Sequence, residues 1–132
     1  MTPRKGDLLE RPLTQSIIGA FYDVYNALGY GFLEHIYSLA LERELRARGH
    51  HVARERFVTI FYRGEPLADQ RLDLVVDGKV IVEIKSTWQL PASATRQLYN
   101  YLRATHLEVG LLLHFGAEPK YQRFVSTNPP PR

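Results

Sequence analysis

Three side chains in this sequence have the types and spacing to do chemistry together. Asp73 stands ten residues before Glu83, and Lys85 follows two further on, within the stretch RLDLVVDGKVIVEIKS from Arg71 to Ser86. All three interrupt apolar, β-branched runs, where a charge is costly unless it has a partner. Two acids and a lysine at strand spacing suit a divalent metal and a polarised water. The competing reading is a solvated ladder in which Arg71 and Lys85 simply balance the acids.

Register separates the two. Side chains alternate along a strand, so Ile81, Glu83 and Lys85 share one face, and Arg71, Asp73 and Val75 share another. Asp77-Gly78 is a strong hairpin signal. A two-residue turn there would split the apolar set between faces. A three-residue turn, Asp77-Gly78-Lys79, pairs Val76 with Val80 and sets Asp73 opposite Glu83. It also unites Leu72, Leu74, Val76, Val80, Val82 and Ile84 on the buried face. A one-residue slip would flip every side chain, so burial selects this register. Directly opposed residues have Cβ atoms about 4.5–5.5 Å apart, and two carboxylates that close repel unless a cation lies between them. Hard oxygen donors without thiolates favour Mg²⁺ or Mn²⁺.

The elements that must position these residues follow from periodicity. Ile17, Ile18, Phe21, Val24, Tyr25 and Leu28 recur at helical spacing from Thr14 to a stop at Gly29. A second helix is predicted from about Leu33 to Arg48. Val52 to Tyr62 has strand composition, Arg63-Gly64-Glu65-Pro66 reads as a turn, and Gln70–Val76 and Lys79–Ile84 are two further strands. A third helix, Ala92 to Thr105, leads to the apolar run Val109–Phe115, which reads as a strand buried on both faces. That helix has the length of a crossover, so the strands on either side of it are expected to run parallel. Tyr121–Val125 adds a last strand. The fold class is α/β, a mixed central sheet flanked by helices in the order αα-βββ-α-β. One domain is expected over 1–132, with 1–12 and 127–132 irregular or flexible.

Composition narrows the function classes. The chain has 132 residues, no cysteine, and a net charge of +3. Disulfides, thiolate metal sites and cysteine nucleophiles are therefore excluded, and the cytoplasm is the expected compartment. No apolar run approaches the roughly 18 residues of a membrane helix, so no membrane partner is expected. The basic excess is compatible with a polyanion, although 13 of the 17 basic residues are arginine, a bias that genome composition also produces. No histidine pair has zinc spacing, and no Gly-rich phosphate loop or G-x-S-x-G elbow is present. His50-His51 reads as an exposed turn.

These residues resemble a known family. Asp73 followed by Glu83-Ile84-Lys85 is similar to the D…(D/E)-x-K core of the PD-(D/E)XK nuclease superfamily. Gly31-Phe-Leu-Glu34-His-Ile-Tyr37 matches the motif for which the GxxExxY family, a small branch of it, is named. Gln97-Leu-Tyr-Asn-Tyr101 resembles the QxxxY helix motif of the RecB-type branch, and Gly110 to Gly116 with Arg123 resembles the family's end. One departure is His114, where the family usually carries Asn. The resemblance spans about residues 14–126 and implies a restriction-endonuclease-like core.

It also implies roles. Asp73 and Glu83 would hold the metal, with the backbone carbonyl of Ile84 as a third ligand. Lys85 would orient the attacking water, and Glu34 would support the site or a second metal. Glu34 also suits a helix's first turn on dipole grounds alone. Gln97 and Tyr101 share a helix face. Gln97 would line the site as a catalytic residue, while Tyr101 would contact substrate. Arg71, beside Asp73 on its own strand face, is placed either to bind a substrate phosphate or simply to balance the acids. Tyr101 reads equally well as core, and Tyr37 as packing beside Glu34. The expected activity is Mg²⁺- or Mn²⁺-dependent hydrolysis of DNA, with a homodimer or another partner setting substrate choice. The alternative is a nucleic-acid-binding or assembly module that keeps the fold without turnover.

Overall fold

The structure, a computed structural model, describes residues 9–126. Of the segments expected to be flexible, 1–12 and 127–132, residues 1–8 and 127–132 lie outside the described residues. Helix α1 spans Arg11–Leu28 and carries Pro12 in its first turn, so the irregular lead-in expected to reach residue 12 ends earlier. Proline fits there because the first helical N–H groups have no intrahelical acceptor. Helix α2 is Glu34–Ala47 and α3 is Ser93–Ala104, both close to expectation. The strands are β1 Val52–Arg54, β2 Phe57–Tyr62, β3 Glu65–Arg71, β4 Leu74–Val76, β5 Val80–Lys85, β6 Val109–Phe115 and β7 Pro119–Val125.

Five strands form a mixed sheet in the order β1-β4-β5-β6-β7, and β2 pairs with β3 apart from it. β5 and β6 are parallel, as the crossover length implied, with Lys85 opposite His114. Val76 pairs with Val80 and Leu74 with Val82, so the hairpin loop has the three residues Asp77-Gly78-Lys79. Burial selected this register because Leu74, Val76, Val80, Val82 and Ile84 all reach one core under α1 and α2. Leu72 does not join them. It packs with Val75 and Ile81 in a second core under α3.

The reason is a break that the alternation pattern does not reveal. Arg54 lies opposite Leu74, and Phe57 opposite Arg71, so β1-β4 and β2-β3 continue one antiparallel register. The ribbon is distorted between them, where Glu55 takes a left-handed backbone (φ 58°). The single strands expected over 52–62 and 70–76 are therefore each split, at Glu55-Arg56 and at Leu72-Asp73. The outer half becomes a two-stranded hairpin with every residue of β3 exposed. Its turn is only Arg63-Gly64. Glu65 and Pro66 belong to β3, and Pro66 faces Phe61 next to a register irregularity. A proline without an N–H is tolerated at such a place.

The loop between α1 and α2 is fixed by aromatic packing. Tyr37 is fully buried and stacks on Phe115 with ring centroids 4.0 Å apart, while Phe21 meets Phe115 edge-on at 4.8 Å. Such pairs contribute about 0.5–1.5 kcal/mol beyond their burial. The Tyr37 hydroxyl donates to the Gly29 carbonyl and accepts the Phe32 N–H. Tyr37 is thus a core residue and also the bracket that closes this loop.

Candidate active site

β4 begins only at Leu74 while its antiparallel neighbour β5 runs on to Lys85, and the candidate site occupies the gap this leaves at one end of the sheet. Asp73 sits at that end. Its N–H donates to Glu83 Oε1 at 3.2 Å, and its Oδ2 accepts the Ile84 N–H at 2.8 Å. The two carboxyl groups are therefore held together by each other's strand. Glu83 is only 6% exposed. Burial, and then the Asp73 carboxylate, push its pKa up to about 8, against the opposing pull of the Asp73 amide and Lys85. Without a metal, Glu83 therefore holds its proton near neutral pH.

A cavity of about 260 Å³ opens in front of them, lined by Glu34, His35, Ser38, Glu55, Arg71, Asp73 and Ile84. Glu34 is placed there by the bracketed loop and by Ser86, whose N–H donates to Glu34 Oε2 at 3.2 Å. The Ser86 hydroxyl also donates to the Phe32 carbonyl, so the end of β5 is tied to the start of α2. Arg71 reaches the same cavity from β3 and pairs with Glu55 at 3.4 Å. Glu83 and Lys85 do not line this cavity. Glu83 lies behind Asp73 on the α3 side, and half-buried Lys85 follows at the strand end.

From α3, Tyr101 faces the acids. Its hydroxyl is pushed above the ordinary tyrosine value by burial and then by the charges of Glu83 and Asp73, while a hydrogen bond with Gln97 works the other way. Gln97 itself opens onto a separate groove, shared with Tyr101 and the β2-β3 hairpin.

These positions acquire a context from comparison with known proteins. The family model of the PD-(D/E)XK nuclease superfamily matches residues 11–124. The chain belongs to this superfamily. A comparison with the curated proteins finds no match. Among solved structures, the crystal structure of SSO0001 is similar in fold, with 21% sequence identity and a TM-score of 0.56. The match covers 93% of this chain and 60% of that one, so this chain spans about three-fifths of its structural neighbour.

PD-(D/E)XK nucleases are typically dependent on a divalent metal, and the donors here can be tested against that. Among the described residues no three His, Cys, Asp or Glu side chains cluster tightly enough to hold an ion. Asp73 and Glu83 supply two carboxylates. A strand residue turns its N–H and C=O to the same side, so the Ile84 carbonyl faces the gap into which its N–H already donates. Two carboxylates and a carbonyl suit Mg²⁺, which keeps several waters and takes few protein ligands. The set fits.

Sequence reasoning missed three lining residues. Ser38 lies one helical turn beyond Glu34, a spacing that would have found it, and His35 adjoins Glu34. Glu55 carried no signal, because it enters through the backbone distortion, where its N–H donates to the Asp73 carbonyl at 2.9 Å. His50 was also misread. It is half-buried, with Nε2 2.7 Å from Ser16 Oγ and Nδ1 2.8 Å from Asp77 Oδ2. The order Ser-His-Asp has hydrolase geometry, but no described cavity is lined by any of the three. The chain clasps α1 to the β4-β5 turn there.

Proposed function

We propose that this protein is a metal-dependent nuclease of the GxxExxY branch that hydrolyses DNA phosphodiester bonds with Mg²⁺ or Mn²⁺. The supporting observation is the Asp73–Glu83 pair, tied across β4 and β5 at the edge of an acid-lined cavity in a chain of this superfamily. When bound, the ion lowers the pKa of a water and neutralises charge on the phosphoryl oxygens. Asp73, Glu83 and the Ile84 carbonyl hold it. Lys85 orients the attacking water and offsets charge that grows in the transition state. Glu34, fixed by Ser86, holds the outer edge of the site. Arg71 contacts a substrate phosphate, and Tyr101, steadied by Gln97, packs against the acids from the α3 side. The net charge of +3 suits a polyanionic substrate, and the absence of cysteine suits the cytoplasm. Pairing of two copies would place two such sites on one duplex.

The test is cleavage of single-stranded, duplex and branched DNA with Mg²⁺ or Mn²⁺ by wild type, Asp73→Ala and Lys85→Ala. Cleavage by wild type alone is expected. Equal cleavage by all three would mean a contaminant, and binding without cleavage under either ion would make the protein an assembly module.

A further inference from the structure

A second groove, about 430 Å³, runs between the β2-β3 hairpin and α3. Its chemistry differs from that of the acid cavity. Three amides (Gln70, Gln97 and Asn100) line it with Phe61, Tyr101 and Arg103, and no carboxylate is among its walls. Side-chain amides pair with the edges of nucleobases, and an aromatic face or a guanidinium stacks on them. Phe61 is 53% exposed on the hairpin, although nothing in a hairpin requires an aromatic residue to face water.

Position joins this groove to the acids. Neighbouring residues of β3 divide between the two cavities, Gln70 in the groove and Arg71 beside Asp73. On the other wall, Tyr101 lines the groove while its ring approaches Glu83. Gln70 and Arg71 are consecutive, so a base unstacked beside a phosphate held at Arg71 would meet the groove.

We propose that the groove between the hairpin and α3 is a pocket for an unpaired nucleobase, held by Phe61, Gln70, Asn100 and Arg103, so that the substrate is single-stranded or carries a single-stranded branch. This rests on the nuclease reading of the acid site. Charge complementarity favours nucleic acid over a peptide, since the walls hold an arginine and no acid.

The test is fluorescence anisotropy in EDTA with a labelled single strand of about 12 nucleotides, either intact or carrying an abasic residue at each position in turn. Phe61→Ala and Asn100→Ala are expected to weaken binding of the intact strand about tenfold. One abasic position should weaken wild type by a similar factor, and the variants should show no further loss there. Both side chains are exposed, and circular dichroism checks the fold. Unchanged affinity in both variants, or losses that simply multiply with the abasic loss, would overturn the pocket. A dimer broken by Phe61→Ala without any dependence on the base would also overturn it, assigning the surface to a second copy. Cleavage that needs Asp73 yet ignores Phe61 and Asn100 would overturn the pocket alone. Loss of the nuclease reading would appear separately, as cleavage independent of Asp73.

Discussion

The backbone amide of Asp73 donates to the carboxylate of Glu83, while the carboxylate of Asp73 accepts the amide next to Glu83. Each acid thus orients the other through the opposite strand. The arrangement depends on a three-residue hairpin loop, since a slip of one residue would turn Glu83 to the other sheet face.

The first expectation concerns pH. Glu83 is raised from an ordinary 4.5 to about 8, by burial first and by Asp73 second. Its neutral form is therefore the one the fold prefers. The stability this gives is fully present below the unfolded value and is lost as pH rises through the folded one. The melting temperature of metal-free protein should fall between about pH 5 and pH 8.5. Glu83→Gln should flatten that slope, and Mg²⁺ should restore wild type at the alkaline end by taking the place of the proton. Differential scanning calorimetry across the range reads all three, and a flat wild-type profile would contradict the pairing.

The loop bracket makes a second expectation. Gly31 has φ 114°, a conformation that L side chains rarely adopt, so Gly31→Ala should cost about 1–3 kcal/mol. Tyr37→Phe keeps the stacking on Phe115 but leaves the Gly29 carbonyl and the Phe32 amide without the hydroxyl, at about 1–2 kcal/mol. Urea denaturation measures both. Cleavage should fall in each because Glu34 is positioned by this loop.

Gly110 carries a third. A Cβ there would lie 2.9 Å from Leu98 Cδ1, with two further Leu98 atoms inside 3.4 Å. Gly110→Ala should destabilise by about 1–3 kcal/mol through overpacking and lift α3 from β6. Since Tyr101 and Gln97 ride on α3, the variant should also lose activity beyond its loss of stability. A double substitution with Leu98→Ala should recover part of both.

The clasp at the far end of the sheet carries a fourth. Burial alone would raise the pKa of Asp77, but hydrogen bonds from His51 and His50 outweigh it and hold the carboxylate below its ordinary value. The stability this gives is present above the unfolded value and lost as pH falls through the folded one. Asp77→Asn should therefore cost about 1 kcal/mol at neutral pH. It should leave nuclease activity per folded molecule intact, and its deficit should shrink in acid.

The parts of this fold that could be read from sequence are those that burial decides. The parity of Leu74, Val76, Val80, Val82 and Ile84 dictates the loop length and puts Asp73 beside Glu83. The length of α3 gave the parallel pairing. What could not be read depends on groups far apart in sequence or on backbone geometry. Leu72 keeps the alternation of its neighbours, yet the distortion at Glu55 and Asp73 turns it to the other core. The same distortion brings Glu55 to the cavity. His50 looked like a turn residue because its partners, Ser16 and Asp77, stand 34 and 27 positions away.

The most direct measurement is Mn²⁺ binding followed by electron paramagnetic resonance in wild type, Asp73→Asn and Glu83→Gln. Both substitutions keep side-chain shape and remove one carboxylate that could hold the ion. Wild type should bind the ion, and each variant should bind it at least about tenfold more weakly, with unchanged circular dichroism. Equal Mn²⁺ binding by all three would contradict the assignment of Asp73 and Glu83 as the metal-holding pair.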